Sequence, residues 1–442
     1  MSDSPLATIK LKSQPFCLDV HPSRPLLTAG LVTGQVKLYE WMRGGGTEGE
    51  EEEEDEALSK YMSKKPKATT SVRWSAQPHK EACRAAMFST DGESLFSAGG
   101  DCSLQRRDIE TNKPIWRKRE AHAATINSLV RLGDVGVATG DDDGAVTCWD
   151  LRAKTAALSF HENTDYVADM LYDERGSNKH TLCVAGGDGR LSVFDLRAGR
   201  LWARSDEQDD ELLSIARVKH GKKLLCGTQT GVVGIFSWGN FGDVSDRLLG
   251  HPASVDCLLP HGEDAVLTGS ADGLIRLVGV HPNKVIGVVG EHENEATIEA
   301  LALDAKGETL ASCAHDQTIK LWDLGYLEDE DEDEDAKEAE EAEEAEGGAD
   351  REEDAVAKGG SSSGGGKVKV KVKGARPAGD DSDDDSDDSD DGMSVAASKA
   401  SKRSGFSRAG SEGEDGRKRK QPRQIAKKGA AIAMAGDFFA DM

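Results

Sequence analysis

The sequence lacks the features of a membrane or secreted protein. It has no uninterrupted run of 18 apolar residues, so we expect no membrane-spanning helix and no membrane contact. The opening Met-Ser-Asp-Ser-Pro lacks the charged and apolar regions of a secretory signal. The eight cysteines include no CxxC pair, which argues against a zinc or disulfide framework. We therefore expect an intracellular protein.

Signatures of catalysis are also missing. The sequence contains no glycine-rich phosphate loop, no paired catalytic carboxylates and no nucleophile with an associated base. Three consecutive aspartates, Asp141–Asp143, could suggest a metal site, but neighbouring carboxylates cannot all face one ion. We expect a protein that is not an enzyme and has no cofactor and no metal ion.

Negative charge is concentrated in segments that have little apolar pattern. Residues 325–442 carry half of the net charge of −26, and Glu48–Glu56 contain eight acidic residues. Such segments cannot bury enough apolar surface to fold alone. We expect a disordered acidic insertion at 44–70 and a disordered tail at 325–442.

A short repeat organises the rest of the chain. Residues 139–152, TGDDDGAVTCWDLR, predict a strand, a tight turn and a second strand that closes on Trp149-Asp150. This is the WD dipeptide of a propeller blade, whose period is about 40–45 residues. The Trp149 column recurs seven times in all, mostly at this period, with the other members Tyr39, Arg107, Phe194, Phe236, Val278 and Trp322.

Polar residues recur at fixed distances from these anchors. The spacing predicts a buried hydrogen-bonded network in blade seven of His292, Ser312, Asp316 and Trp322, and in blade three of His122, Thr139, Asp143 and Trp149. Buried polar groups need partners, so we interpret these residues as structural rather than catalytic.

Seven repeats predict an all-β fold, a seven-bladed WD40 β-propeller over residues 1–324. Blade seven has only three strands of its own, so the N-terminal strand LATIKL (6–11) should supply its fourth and close the ring. We expect a monomeric propeller.

Residues at the start of the innermost strands are candidates for a partner-binding face at the channel mouth: Arg84, Asn127, Asp169, Asp256 and Glu299. Their mixed charge suits a protein or peptide better than a phosphate backbone. They could instead be solvated rim residues. In another interpretation, Asp169, Asp256 and Glu299 bind histone tails.

Two arginines suggest a different partner. Arg152 and Arg197 follow the Asp of WDLR and FDLR in consecutive blades, as in substrate receptors that dock on the cullin-4 ubiquitin-ligase adaptor. The alternative is that each pairs with an Asp of an adjacent blade.

The tail carries three further candidates. Ser382, Ser386 and Ser389 precede acidic residues, as acid-directed kinases prefer. A basic cluster of nuclear-import type, which could alternatively contact RNA, contains Arg417, Lys418, Arg419, Lys420, Lys427 and Lys428. Phe438 and Phe439 form a candidate docking motif in the terminal FFADM.

Several stretches together resemble the WD repeat-containing protein 55 family, whose fungal counterparts are nucleolar. They are KEACRAAMFSTDGESLFSAGGD (80–101), AHAATINSL (121–129), HENTDYVADM (161–170), WGNFGDVSDR (238–247), DGLIRLVGVHPNKVIGVVGEH (272–292) and FFADM. The resemblance covers 1–324 and the last few residues.

The resemblance implies a non-catalytic scaffold in the nucleus and nucleolus that supports ribosome biogenesis through large-subunit assembly and rRNA synthesis or processing. Its expected partners are ribosome-assembly proteins, pre-ribosomal particles and an import receptor, with direct RNA contact left open. The alternative is a receptor for the cullin-4 ligase adaptor.

Overall fold

The computed structural model describes residues 4–44, 68–173, 180–325 and 327. These residues all belong to the first of two units into which the chain divides. The second unit, Glu338–Pro422, lies outside them. Within the described ranges, no helix is long and apolar enough to cross a membrane.

The described residues form β-strands arranged in groups of four. The first groups are β1 (Ala7–Lys10), β2 (Pro15–Val20), β3 (Leu26–Leu31), β4 (Val36–Arg43), β5 (Ala68–Ala76), β6 (Cys83–Phe88), β7 (Ser94–Gly99), β8 (Leu104–Asp108), β9 (Pro114–Lys118), β10 (Ile126–Leu132), β11 (Gly136–Asp141), β12 (Val146–Asp150) and β13 (Thr155–Phe160). The remaining strands are β14 (Val167–Asp173), β15 (Thr181–Gly186), β16 (Leu191–Asp195), β17 (Arg200–Arg204), β18 (Leu212–Val218), β19 (Lys223–Thr228), β20 (Val233–Ser237), β21 (Asp246–Leu248), β22 (Val255–His261), β23 (Ala265–Ser270), β24 (Leu274–Gly279), β25 (Lys284–Glu291), β26 (Ile298–Leu303), β27 (Thr309–Ala314) and β28 (Thr318–Asp323).

Seven antiparallel four-stranded sheets confirm the predicted seven-bladed propeller. Six sheets are consecutive, from β2–β5 in blade one to β22–β25 in blade six. Blade seven has the order β1-β28-β27-β26, with Ala7 opposite Leu321 and Lys10 opposite Thr318. The N-terminal strand therefore closes the ring, as predicted, and joins the two ends of the described chain.

The core lies between neighbouring blades. The second strand of each blade is almost wholly buried, because both faces of a blade pack against other blades: Leu26–Leu31, Ser94–Gly99 and Thr181–Gly186 have no exposed residue. Small residues allow this close approach. A Cβ on Gly140, for example, would lie 2.4 Å from Val167 Cγ1 in the next blade. The sheets therefore form a rigid frame for the loops at both ends.

One predicted boundary needs correction. The insertion expected at 44–70 lies mostly outside the described residues, but its last three residues belong to β5. Ala68, Thr69 and Thr70 pair with Arg43, Met42 and Trp41. The strand therefore resumes three residues earlier than the pattern SVRW indicated, because it extends along the whole of β4.

Candidate interaction site at the channel mouth

The innermost strand of every blade contains a β-bulge at its second residue. The pairing register with the next strand shifts at this position in all seven blades. A bulge places two residues opposite one and redirects a side chain. The seven bulged residues, which we call the bulge ring, are Phe16, Arg84, Asn127, Ala168, Leu213, Asp256 and Glu299.

The whole bulge ring lines one cavity of about 550 Å³ at the upper face, where the innermost strands begin. The ring is chemically asymmetric. Blades six and seven contribute adjacent carboxylates, blades four and five contribute small or aliphatic side chains, and blades one and two contribute an aromatic ring and a cation. Four of the five residues predicted for the binding face, Arg84, Asn127, Asp256 and Glu299, are members of the ring.

Asp256 and Glu299 form its acidic side. Burial raises the pKa of Asp256 to about 6, and the neighbouring Glu299 adds to this effect, while hydrogen bonds from the Ser254 hydroxyl oppose it. Glu299 Oε1 in turn contacts Nε2 of His315. A cation in the cavity would stabilise the ionised form of Asp256, so this side of the ring suits a lysine or arginine side chain.

Asp169, the fifth predicted residue, lines the same cavity but is not the bulged residue of its blade, which is Ala168. Its carboxylate accepts hydrogen bonds from the backbone N–H of Met170 at 2.8 Å and of Ile215 at 3.1 Å. Desolvation nevertheless raises its pKa to about 6. Asp169 therefore ties blade four to blade five, and its primary role is structural.

The side of the ring that blades one to three form is already partly engaged. The Arg84 guanidinium carbon lies 5.7 Å from the centre of the Phe16 ring, a cation–π distance. Asn127 Nδ2 donates to Asp142, while Asn127 Oδ1 is buried without a hydrogen-bond partner among the described residues. Asp142 was not among the residues predicted for the mouth, because the aspartate run was interpreted only as a turn.

Tyr166 is a second lining residue that the sequence did not indicate. Its hydroxyl donates to Glu211 at 2.8 Å, and burial together with this carboxylate raises the pKa of the phenol well above its usual value. The ring lies against Gly187, where a Cβ would be only 2.2 Å from a ring carbon. The only sequence signal for this tyrosine was its place in HENTDYVADM (161–170), one of the stretches on which the family resemblance depends.

The predicted polar network of blade seven is present. His292 Nδ1 lies 2.9 Å from Asp316 Oδ2, His292 Nε2 lies 2.8 Å from Ser312 Oγ, and Trp322 Nε1 donates to Ser312 Oγ at 2.9 Å. Although burial alone would raise the pKa of Asp316, hydrogen bonds from His292 and Thr318 outweigh it and lower the pKa to about 2. These residues join the loop before β26 to β27 and β28, which is a structural task.

The network of blade three is corrected at one position. His122 contacts Thr139 Oγ1 at 2.6 Å and Asp141 Oδ2 at 2.7 Å, and Trp149 Nε1 donates to Thr139 at 2.8 Å. Asp143 is exposed and does not take part. The reason is the turn: Asp141 ends β11 as a buried residue and accepts the backbone N–H groups of Asp143 and Ala145.

Arg152 and Arg197 lie in corresponding turns of blades three and four, at the lower face, where the innermost strands end. Both are exposed. Arg152 bonds Asp150 of its own strand, with Nη2 at 3.2 Å from Oδ2. The two side chains are thus accessible and lie on the opposite face from the bulge ring.

The remaining candidates fall outside the described residues. They are the serines Ser382, Ser386 and Ser389, the import cluster Arg417, Lys418, Arg419, Lys420, Lys427 and Lys428, and the docking motif Phe438 and Phe439.

Comparison with known proteins matches residues 55–327 to the WDR55 family model. The chain is 37% identical over 317 residues to WD repeat-containing protein 55 of Arabidopsis thaliana, covering 72% of this chain and 82% of the relative. It is 37% identical over 319 residues to the protein of the same name from Homo sapiens, covering 72% and 76%. It is 33% identical over 328 residues to WD repeat-containing protein JIP5 of Coprinopsis cinerea, covering 72% and 74%.

Proposed function

The chain belongs to the WDR55 family, and we propose on that basis that it is a non-catalytic nucleolar scaffold that supports ribosome biogenesis through protein–protein contacts. Within this role it acts in large-subunit assembly and in the synthesis or processing of rRNA. Its upper face binds a basic segment of an assembly protein. Its import cluster, Arg417–Lys428, binds an import receptor and brings the chain into the nucleus.

The bulge ring is the observation that carries the proposed contact with a basic segment. A cavity of about 550 Å³ is large enough for side chains of a peptide, since small-molecule sites begin at about 300 Å³. The adjacent carboxylates of Asp256 and Glu299 favour an incoming lysine or arginine, and the aliphatic Leu213 side receives its methylene groups. Proteins that bind rRNA are rich in such basic segments, because they neutralise phosphates.

Reversal of the acidic side tests the proposal. In a strain or cell line that expresses the tagged full chain, Asp256→Lys with Glu299→Lys should remove most co-purifying assembly proteins. The matched control is Glu120→Lys with Glu162→Lys, because these exposed acids precede innermost strands but do not line the cavity. Equal loss in both pairs would mean that net charge, not the cavity, governs binding. Unchanged binding in the first pair would refute the role of the ring.

One observation favours an alternative function. Arg152 and Arg197 are exposed in equivalent turns of neighbouring blades, as an adaptor-docking surface requires. In this alternative the chain is a substrate receptor of the cullin-4 ligase. Arg152→Ala with Arg197→Ala should then abolish capture of the adaptor but leave the fold intact. Retention of the adaptor, or its absence from the wild-type complex, rejects this alternative.

A further inference from the structure

Blade five lacks the polar network that stabilises blades two, three and seven. In those blades a histidine before the innermost strand contacts a hydroxyl at the fourth residue of the second strand, as His79 contacts Ser97 at 2.9 Å. In blade five the corresponding positions hold Gln208 and Cys226, and Thr230 replaces the aspartate. Gln208 turns away and donates to the carbonyl of Asp206. No histidine ring therefore fills this region of blade five.

A cavity of about 190 Å³ occupies the same region. Two of the three replacing residues, Gln208 and Thr230, line it, and its floor is apolar, with Leu212, Val232, Phe236 and Val244. Two features keep it open. Gly234 offers no side chain, and the outer strand β21 has only three residues, whereas the outer strands of blades one to four and of blade six have five to nine. The cavity therefore extends from the loop before β18 to the short outer strand β21.

The size of this cavity fits one aromatic ring. An apolar cavity of about 150 Å³ in another protein binds benzene, so 190 Å³ accommodates a phenyl group. Its rim is electrically polarised. On one side, the carboxylate of Asp210 accepts hydrogen bonds from the Thr230 N–H and hydroxyl, at 2.7 and 2.6 Å, and Asp209 is exposed beside it. On the other side, the exposed Arg247 lies on the outer strand β21. A ligand with a carboxylate near its ring would place that carboxylate beside Arg247.

We propose that this blade-five pocket binds the C-terminal segment Gly436–Met442 of the same chain, with Phe438 or Phe439 in the cavity. The segment combines two phenyl rings with Asp437, Asp441 and the terminal carboxylate, which match the apolar floor and Arg247. This inference is independent of the proposed function, because the pocket shares no residue with the bulge ring.

The length of the chain permits the contact. About 110 residues separate Leu327, where the description of blade seven ends, from Phe438. A polypeptide of that length spans at most about 360–400 Å when it is fully extended. A domain of this size has a radius of gyration of about 20 Å. The length of the chain therefore allows the terminus to reach blade five of its own propeller.

Photo-cross-linking tests the proposal on the full chain. With p-benzoylphenylalanine in place of Phe439 and the protein at nanomolar concentration, we expect intrachain cross-links to peptides within 208–248. Arg247→Glu should lower their yield at least fivefold. The matched control Lys118→Glu, an equal charge change on the exposed outer strand of blade two, should leave the yield within twofold.

A charge exchange makes the test specific. Arg247→Glu combined with Asp437→Arg and Asp441→Arg should restore cross-linking to 208–248, because the attraction is re-established with opposite signs. Cross-links that map to other blades, cross-links only between two chains, or an Arg247→Glu yield equal to that of Lys118→Glu would each overturn the proposal. Circular dichroism of each variant confirms that the propeller is folded when the yields are compared.

Discussion

Replacement of Ser312 by alanine should destabilise the propeller far more than the same change at another buried serine. Ser312 is fully buried, and its hydroxyl lies between two buried groups. Each polar group of this network has a hydrogen-bond partner when the Trp322 indole N–H donates to Ser312 Oγ, the Ser312 hydroxyl donates to His292 Nε2, and His292 Nδ1–H donates to Asp316. Alanine leaves the indole N–H and the imidazole nitrogen without partners in a site closed to water.

The expected cost follows from these two orphaned groups. A buried polar group that loses its partner costs about 1–3 kcal/mol, so Ser312→Ala should lower the free energy of unfolding by about 2–5 kcal/mol. That is a large part of the stability of a typical domain, which is about 5–15 kcal/mol. Urea denaturation followed by circular dichroism and tryptophan fluorescence measures the difference.

Ser192 provides the matched control. It is also a fully buried strand serine, but its hydroxyl has no hydrogen-bond partner among the described residues. Ser192→Ala should therefore change the free energy of unfolding by less than about 0.5 kcal/mol, or increase it. Equal destabilisation by the two substitutions would refute the reasoning, because the cost would then come from the lost volume and not from the network.

Three further predictions concern aspartates. In urea denaturation, Asp141→Ala should lower the free energy of unfolding by about 2 kcal/mol or more, because Asp141 contacts His122. Asp143→Ala should lower it by less than about 0.5 kcal/mol, because Asp143 is exposed. A larger loss for Asp143→Ala than for Asp141→Ala would contradict the observed turn. Asp316 has a depressed pKa of about 2, so its contribution of about 2 kcal/mol to the free energy of unfolding is present above pH 4 and lost as the pH falls towards 2. The Asp316→Asn variant should therefore be less stable than the wild type at pH 7 but equally stable near pH 2. Asp256 has a raised pKa of about 6, so ionisation of this buried carboxyl costs stability as the pH rises through 6. In urea denaturation at pH 7.5, Asp256→Asn should therefore raise the free energy of unfolding by about 1–2 kcal/mol after allowance for partial exposure. Below pH 4 the substitution should give no gain.

The repeat pattern was sufficient to predict the fold. The Trp149 column and its spacing indicated seven blades, and the three-stranded remainder of blade seven indicated closure by the N-terminal strand. The complete set His292, Ser312, Asp316 and Trp322 indicated its own network. These predictions succeeded because each depends on strand period and burial, which the order of apolar and polar residues records directly.

Details that depend on a shift of one or two residues were not predictable. In the run Asp141–Asp143, either end could serve as the network carboxylate, and only the observed turn selects Asp141. A bulge adds one residue to a strand without changing its composition, so the sequence does not show that Ala168, and not the neighbouring Asp169, is the bulged residue of blade four. The blade-five pocket depends on the short strand β21, which WGNFGDVSDR does not reveal.

The most direct test of the proposed scaffold role is sedimentation of the tagged full chain from nuclear extract, with mass spectrometry of each gradient fraction. We expect the wild-type chain to migrate with precursors of the large ribosomal subunit. Asp256→Lys with Glu299→Lys should shift it to light fractions, while Glu120→Lys with Glu162→Lys should not. Migration of the wild-type chain in light fractions with the cullin-4 adaptor, free of ribosomal precursors, would rule out the scaffold role.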